Sequence, residues 1–342
     1  MGYRGDWIRP DLRYPEFISS TYNPHIMDEN HYDVIVIGAG PAGLTAGIYL
    51  SRAKMKTLII NKGVSGGQMV LTHEVANYPG VENISGYMLS RTMARQAQSF
   101  GCKIISNATV EDLSLEGEVK SVSISGKGIF TAQSIILASG GKSRQLGVPG
   151  EKEFSGKGIS YCATCDGDFF QDKEIIVVGG GNSALEEAVS LTQYASKVTI
   201  VHQFDHFQAY EHAIDEAKGN AKIDFIMSST ISQFHGDGKL NKVTIKNLET
   251  QIEMEKQIDG VFIFIGYVPR TDFLKHKVKL NQWGEILTDS DLETNVKGVY
   301  AAGDARAKKY RQITTATADG TIAALNAIAY VNEYKKANVL AF

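Results

Sequence analysis

Two cysteines separated by two residues and followed by an acid are the side chains of this chain best suited to chemistry. They are Cys162, Cys165 and Asp166, in the run Tyr-Cys-Ala-Thr-Cys-Asp-Gly. Thiols at this spacing close into a disulfide and reopen as a dithiol, because one thiolate attacks a partner disulfide and the other resolves the mixed disulfide. An adjacent carboxyl can carry the protons that these steps require. The pattern predicts a redox centre in which all three residues are catalytic.

A Cys-x-x-Cys pair is also half of a common zinc site. The zinc interpretation requires two further Cys or His ligands in a comparable arrangement. The chain has three cysteines, and the third, Cys102, stands alone in Phe-Gly-Cys-Lys-Ile. His202 and His206 straddle a predicted strand end, so they do not form a ligand pair on a helix. We therefore expect a redox pair, no bound metal, and a buried structural thiol at Cys102.

Length and composition narrow the class of protein. The 342 residues are 43% hydrophobic, which suffices for two cores at roughly 150 residues per domain. The net charge of -3, with acids and bases mixed, favours neither nucleic acid nor an anionic membrane as a partner. There is no apolar run of about 18 residues to span a bilayer. A cycling thiol pair works best in a reducing pool, so we expect a cytoplasmic protein.

The first strong structural signal is a strand, a glycine turn and a helix. The continuous apolar run 32–37 predicts a buried parallel strand, and 44–53 predicts a helix. Between them lies Gly-x-Gly-x-x-Gly, a turn that admits a pyrophosphate at a helix N-terminus. The next predicted strand, 57–60, ends at Asn61, where an acid usually binds the ribose hydroxyls. Asparagine can still form a hydrogen bond with a hydroxyl.

The same pattern recurs later in the chain. A strand at 174–178 is followed by Gly179-x-Gly181-x-x-Ala184 and a predicted helix at 185–193. Alanine can replace the third glycine where helix and strand pack. The repeat predicts an α/β fold with two dinucleotide-binding, Rossmann-like units. Further expected elements are strands at 243–245 and 260–265 that close the second unit, a strand entering Gly303-Asp304, and a helix at 313–330.

These motifs together resemble the low-molecular-weight thioredoxin reductases, in family order, over residues 33–331. Cys-Ala-Thr-Cys-Asp-Gly is identical to the redox motif of that family, and the first glycine turn is similar to its FAD turn. Gly-Gly-Gln at 66–68 and Asn-Tyr-Pro-Gly at 77–80 resemble its flavin-contacting loop. Gly303-Asp304 and Arg-Gln-Ile at 311–313 resemble the segment along the ribitol and isoalloxazine.

The resemblance implies FAD as the cofactor and thioredoxin, or a thioredoxin-like protein, as the substrate. In that family Cys165 would face the flavin, Cys162 would exchange with thioredoxin, and Asp166 would serve as acid and base. The cofactor-binding residues that we expect are Gly38, Gly40, Pro41, Ala42, Gly43, Asn61, Gly67, Gln68, Asn77, Val110, Ala138, Gly303, Asp304, Arg311, Gln312 and Ile313.

The resemblance also implies the domain plan. The FAD-binding domain would be discontinuous, at 32–141 and 271–342, with a redox-disulfide domain of NAD(P)-type fold inserted at 142–270. Residues 1–31 would form an N-terminal arm. The two connections would act as a swivel that turns the disulfide from the flavin to the protein substrate, and a homodimer is expected.

One family signature is missing. The family binds the 2'-phosphate of NADPH with a histidine, two arginines and a third arginine four positions on. Here residues 202–208 read His-Gln-Phe-Asp-His-Phe-Gln, so every arginine is gone. A guanidinium is the natural clamp for a phosphate. At ~1.5–3 kcal/mol per charged hydrogen bond, the loss of three predicts an affinity lower by several orders of magnitude.

NADPH is therefore not expected as the donor. The chain is most similar to the ferredoxin-dependent flavin thioredoxin reductases, which keep the redox motif without the arginines. Ferredoxins are acidic, so we expect a basic docking surface, formed by Arg306, Lys308, Lys309 and Arg311.

Alternatives remain open at this stage. They are a deazaflavin donor, NADH with an acid such as Asp205 at its ribose, a flavin dithiol oxidase that uses oxygen, and a non-enzymatic flavin-binding redox sensor.

Overall fold

The computed structural model describes residues 29–72, 75–274 and 276–339. Residues 1–28 of the predicted arm therefore lie outside the described residues. The helices are α1 (Pro41–Arg52), α2 (Gly86–Ser99), α3 (Glu151–Phe154), α4 (Ala163–Asp166), α5 (Asn182–Leu191), α6 (Glu211–Gly219) and α7 (Ile313–Val339). Short 3₁₀ helices lie at Gly67–Leu71, Gly167–Phe170, Asp272–Leu274 and Gly303–Ala305.

Seventeen strands complete the described fold. They are β1 (His31–Ile37), β2 (Thr57–Ile60), β3 (Lys103–Ile105), β4 (Val110–Ser114), β5 (Lys120–Ile124), β6 (Gly128–Leu137), β7 (Gly141–Ser143), β8 (Ile159–Ser160), β9 (Glu174–Val178), β10 (Lys197–Val201), β11 (Ile223–Ile226), β12 (Ser229–Asp237), β13 (Lys239–Asn247), β14 (Glu253–Gln257), β15 (Gly260–Ile263), β16 (Tyr267–Pro269) and β17 (Val299–Ala301).

The first sheet has seven strands in the order β3-β2-β1-β6-β5-β4, with β17 also paired to β6. Strands β1, β2, β3, β6 and β17 run parallel, whereas β5 pairs with its neighbours β4 and β6 in the antiparallel sense. The long strand β6 serves both arrangements, since its first half pairs with β5 and its second half with β17. The turns after β1, β6 and β17 consequently lie at one edge of the sheet.

Strand β1 is apolar throughout because it is covered on both faces. Val34 and Val36 pack in the core that includes α1, α2 and α7, whereas Ile35 and Ile37 pack in the core beneath β4 and β5. Burial on both faces removes the alternation that an exposed strand shows. This explains why the sequence predicted β1 so clearly.

The second sheet has five parallel strands in the order β11-β10-β9-β15-β8. Its cores are filled from α5 and α6 on one side and from a separate three-stranded antiparallel sheet, β12-β13-β14, on the other. The predicted strand at 243–245 is part of β13 and therefore lies in the antiparallel sheet, so it does not close the parallel one. Strand β15 does close it, beside β9.

The two sheets are connected through a ribbon of two short antiparallel strands, β7 and β16. The pairing is extended at both ends by hydrogen bonds from Arg144 N to Gly266 O (2.9 Å) and from Arg270 N to Gly140 O (2.8 Å). We call β7 and β16 the connecting ribbon. The two chain connections between the sheets therefore lie side by side in this ribbon.

The last helix is longer than the sequence pattern indicated. Helix α7 continues past Tyr330 to Val339. Nothing in the run after Tyr330 stops a helix, since it contains neither glycine nor proline. A salt bridge from Lys335 to Asp33, at 2.6 Å, ties this extension to β1. Among the described residues, no helix has both the length and the apolar content needed to cross a membrane.

Candidate active site

The redox pair lies at the end of the edge strand β8. Cys162 precedes the single turn α4, and its sulfur is joined to that of Cys165 in a disulfide with the two Cα atoms 5.3 Å apart. Two further bonds shape the loop, from Cys165 N to Cys162 Sγ (3.2 Å) and from Cys162 N to Ser160 Oγ (3.0 Å). The sequence prediction that Cys162 and Cys165 form one unit agrees with this geometry.

Asp166 is held in the same loop by Ser160. The serine hydroxyl donates a hydrogen bond of 2.5 Å to Asp166 Oδ2. Burial raises the pKa of Asp166; the Ser160 hydrogen bond opposes this rise, and the nearby Asp168 charge adds to it. A carboxyl whose pKa is raised keeps its proton to higher pH and can deliver it to a thiolate. Ser160 has no sequence signature of its own, so the motif alone did not reveal it.

The first glycine turn follows β1 at the carboxyl edge of the first sheet. Gly38 has φ 113°, and a Cβ there would lie 2.1 Å from Ala138 O. Gly40 precedes Pro41 at the start of α1, which has no side-chain cap. Among the described residues, no heavy atom lies within 4 Å of the position that a Cβ on Gly40 would take. The turn thus combines a closed side, against β6, with an open side, at the N-terminus of α1.

The turn after β17 meets α1 from the other side. A Cβ on Gly303 would lie 2.9 Å from that of Ala42. The next residue, Asp304, is half-buried, and its Oδ1 has no hydrogen-bond partner among the described residues. Burial raises the pKa of Asp304, and the positive charges of Lys308 and Arg311 oppose that rise.

Arg311 is oriented by two contacts. It forms an ion pair with the buried Glu285, and its guanidinium lies 4.4 Å from the ring centre of Tyr267 in the connecting ribbon. Its Nε is buried without a partner among the described residues. Neither Glu285 nor Tyr267 carried a sequence signal, because both contacts join distant parts of the chain.

The other predicted cofactor residues lie around these turns. Asn61 donates to Gly63 O and Val64 O and accepts from Ala39 N, so its side chain also closes the loop after β2. Gly43 is buried in α1, Gly67 begins a 3₁₀ helix with Gln68 exposed beside it, and Ala138 directly follows β6. Asn77 lines a surface cavity of about 550 Å³, Val110 begins β4, and Gln312 directly precedes Ile313, the first residue of α7.

FAD fits this set of residues. A pyrophosphate matches an uncapped helix start with open space at Gly40. A buried carboxylate oxygen without a donor is costly, so Asp304 Oδ1 indicates a ligand hydroxyl at that position. The buried Arg311 Nε likewise indicates an acceptor on the ligand. The observations at Asp304 and Arg311 are independent of the glycine motif.

The second glycine turn is also formed, but its surroundings carry little positive charge. Gly181 precedes α5 without a side-chain cap, and Gly180 O accepts from Gln208 N at 2.8 Å. His202 is buried at the end of β10, and a Cβ on Gly180 would lie 2.4 Å from its ring. Burial lowers the pKa of His202, so this ring is neutral at pH 7.

The segment after His202 is aromatic and weakly charged. Phe204 and His206 stack with ring centres 5.9 Å apart, and His206 pairs with Asp205 at 2.6 Å. Gln203 and Gln208 are exposed where the family places arginines. Asp205, the acid that the sequence offers for an NADH ribose, is thus already paired with a neighbouring side chain.

The predicted basic docking surface is wrong for three of its four residues. Lys308 is buried against Asp319 at 2.8 Å, and the Arg306 guanidinium lies 3.7 Å from the same carboxylate. Arg311 is paired with Glu285. Only Lys309 is exposed, over the ring of Tyr310. The sequence shows the cations but not the distant acids, Asp319 and Glu285, with which they form ion pairs.

The two sides of the first turn make opposite predictions for alanine. Gly38→Ala introduces strain at φ 113° and a clash with β6, so we expect a large loss of stability, roughly 2–4 kcal/mol. Gly40→Ala has φ -76° and open space, so the fold should be retained while FAD binds at least tenfold more weakly. Urea unfolding and flavin titration of the apoprotein measure the two effects. Equal stability losses in both variants would contradict the assignment.

Comparisons with known proteins agree with this geometry. The model of the family described as pyridine nucleotide-disulphide oxidoreductase matches residues 32–320. The chain is 48% identical over 310 residues to a thioredoxin reductase of Peptoclostridium acidaminophilum, covering 89% of this chain and 98% of that protein.

Two solved structures show the same fold. Thioredoxin reductase of Streptococcus pyogenes matches with a TM-score of 0.85 and 40% identity, over 89% of this chain and 99% of that one. Thioredoxin reductase of Lactococcus lactis, in its FR conformation, matches with a TM-score of 0.61 and 42% identity, over 88% and 99%. The chain belongs to the pyridine nucleotide-disulphide oxidoreductase family, as an FAD-dependent disulfide oxidoreductase of the low-molecular-weight thioredoxin reductase group.

Proposed function

We propose that this protein is a thioredoxin reductase that takes its electrons from ferredoxin and not from NADPH. The observation that carries the proposal is an intact redox loop in a chain whose second glycine turn has no arginine at 202–208. The dianionic 2'-phosphate of NADPH would meet exposed glutamines and an aromatic stack there. Desolvation of that charge would not be offset by charged hydrogen bonds. NADH would need an acid that Asp205, paired with His206, does not freely offer.

The chain's own residues account for the disulfide chemistry. FAD, held by the turns at Gly40 and Asp304, would supply the electron pair that breaks the Cys162–Cys165 bond. Asp166 delivers a proton as that bond opens, since burial favours its protonated form. The Cys162 thiolate then attacks a substrate disulfide and releases one substrate thiolate. Cys165 attacks Cys162 Sγ, which reforms the disulfide and releases the second, and the two substrate thiolates take up the Cys165 proton and one proton from solvent.

The domain plan follows from the same proposal. Residues 32–141 and 271–342 would be the FAD domain, and 142–270 the redox domain, joined by the connecting ribbon. The TM-scores support a swivel at the connecting ribbon. The Streptococcus pyogenes and Lactococcus lactis structures match this chain with similar identity and coverage, yet their TM-scores are 0.85 and 0.61. Such a difference is expected when similar domains are arranged differently. A reducing thiol pool is needed for turnover, so we place the protein in the cytoplasm.

A homodimer is the proposed assembly. Ile322 and Leu325 are 41% and 52% exposed on α7, and Tyr49 is 37% exposed on α1, which packs against α7. Apolar side chains three apart share one helix face, so Ile322 and Leu325 form a patch available to a second copy. Leu325→Arg should shift sedimentation from dimer to monomer, while Leu248→Arg, in the turn after β13, should not. A wild-type protein that sediments as a monomer would refute the proposal.

Asp166 should be separable from its neighbour Asp168. Asp166→Asn keeps the size of the side chain but not the transferable proton, so disulfide reduction should slow by roughly 10²-fold or more. The wild-type rate should also fall as pH rises through the raised pKa of Asp166, because the acid form is the donor. That pH dependence should disappear in Asp166→Asn and persist in the control Asp168→Asn. Stopped-flow rates from pH 5 to 9 check this, and identical profiles in all three proteins would contradict the role.

The donor is tested by anaerobic reduction of the bound flavin. Reduced ferredoxin should bleach the oxidised flavin band, whereas NADPH and NADH should not. Rapid bleaching of the wild type by low concentrations of either nucleotide would overturn the proposal. Bleaching by ferredoxin followed by oxygen consumption with a dithiol, and no thioredoxin reduction, would instead indicate a dithiol oxidase.

Restoring the missing cations provides the matched variant. Gln203→Arg, Phe204→Arg and Gln208→Arg together should tighten binding of NADPH by roughly 10²-fold or more, as measured by calorimetry. The control places the same charge elsewhere, with Gln171→Arg, Gln193→Arg and Gln257→Arg at exposed positions of the same domain. Equal tightening in both proteins would show a nonspecific charge effect.

A further inference from the structure

A buried glutamate lies between the connecting ribbon and the redox loop. Glu151, at the start of α3, is 2% exposed. Its carboxylate accepts hydrogen bonds from Leu146 N at 3.0 Å and Gly147 N at 2.6 Å. It also accepts one from the hydroxyl of Tyr161 at 2.8 Å. Three donors offset the cost of burying this charge, so the group is well satisfied where it lies.

These bonds join two places that the chain keeps apart. Leu146 and Gly147 follow β7 closely, and Arg144 N bonds to Gly266 O at the end of the ribbon. Tyr161 immediately precedes Cys162, whose N–H is held by Ser160. The sequence of contacts therefore runs from the ribbon through residues 144–147 to Glu151, then to Tyr161 and the disulfide.

We propose that Tyr161 and Glu151 are positioning residues that couple the state of the Cys162–Cys165 disulfide to the connecting ribbon. The closed disulfide fixes the backbone of Cys162 and hence the place of the Tyr161 hydroxyl. Opening it removes that constraint, and the hydrogen bond to Glu151 weakens. The Glu151 carboxylate, which accepts hydrogen bonds from the amides of Leu146 and Gly147, is then held less firmly. The inference rests on the disulfide exchange proposed above.

The chemistry of Tyr161 suits this role across the working pH range. Burial and the adjacent Glu151 carboxylate raise the pKa of Tyr161, so its phenol remains a hydrogen-bond donor. A phenol donating to a carboxylate forms a charge-assisted bond, which is about twice as strong as a neutral one. Removing the hydroxyl, without changing the ring, should uncouple the two ends while the fold is retained.

Hydrogen exchange at the amides of Leu146 and Gly147 tests the coupling without a donor or protein substrate. The flavin-loaded protein is compared in its disulfide form and after reduction with a phosphine, with the flavin absorbance recorded. In the wild type, reduction should accelerate exchange at these two amides by roughly tenfold. In Tyr161→Phe, exchange should already be fast in the disulfide form and should not change on reduction.

The matched control is Tyr300→Phe. Tyr300 is a buried tyrosine whose hydroxyl donates to Asn326 O at 3.3 Å in the first sheet, so its loss also removes one tyrosine hydrogen bond. This variant should keep the wild-type redox dependence at Leu146 and Gly147. Two results would overturn the inference. One is exchange at Leu146 and Gly147 that does not depend on redox state in the wild type. The other is a Tyr161→Phe protein whose exchange rates in both redox states match those of the wild type within twofold. Neither result depends on which donor or substrate the enzyme uses.

Discussion

The Asp166 carboxyl is half-buried in the loop of the Cys162–Cys165 disulfide, and the hydroxyl of Ser160 donates a hydrogen bond to it. Disulfide reduction produces thiolates, and the group that protonates them must itself be in its neutral, protonated form beforehand. A solvent-exposed carboxyl would be ionised at neutral pH and of no use as a donor. In the mechanism that we propose, the chemistry of the loop therefore depends on burial of this group, which raises its pKa.

The two glycine turns share one local structure but differ in the side chains that surround them. Both turns place an uncapped helix N-terminus at the carboxyl end of a parallel strand. Around the first, Asp304 and Arg311 have buried atoms with no hydrogen-bond partner in the described part of the chain, and these match a ligand with both donors and acceptors. Around the second, a neutral buried histidine and a stack of Phe204 with His206 replace the cations that a phosphate needs. The backbone of such a turn determines where a nucleotide can lie, and the charges of the surrounding side chains determine which nucleotide binds there.

Local patterns in the sequence predicted the parts of the fold that are local. Strands β1, β2 and β9 and the turns that follow them come from contiguous residues with strong preferences, and the structure agrees with them. The strand predicted at 243–245 is part of β13, but its antiparallel partners β12 and β14 were not predicted, because an apolar alternation does not identify a strand's partner. The pairs Lys308–Asp319, Arg311–Glu285 and Tyr161–Glu151 depend on how elements pack, and no spacing rule indicates them. The four cations that follow Gly303-Asp304 were therefore predicted to form a docking surface, although three of them are in ion pairs with Asp319 or Glu285.

In the proposed reaction, Cys162 is the cysteine that exchanges with the disulfide of the protein substrate. Trapping the mixed disulfide identifies that cysteine. Cys165→Ser protein is incubated with a thioredoxin whose resolving cysteine has been replaced and whose attacking cysteine is activated as a mixed disulfide. Peptide mapping by mass spectrometry then locates the bond. We expect a single adduct at Cys162, and little adduct at Cys165 in the reciprocal Cys162→Ser protein. An adduct that forms at Cys165 while Cys162 stays unreacted would contradict it.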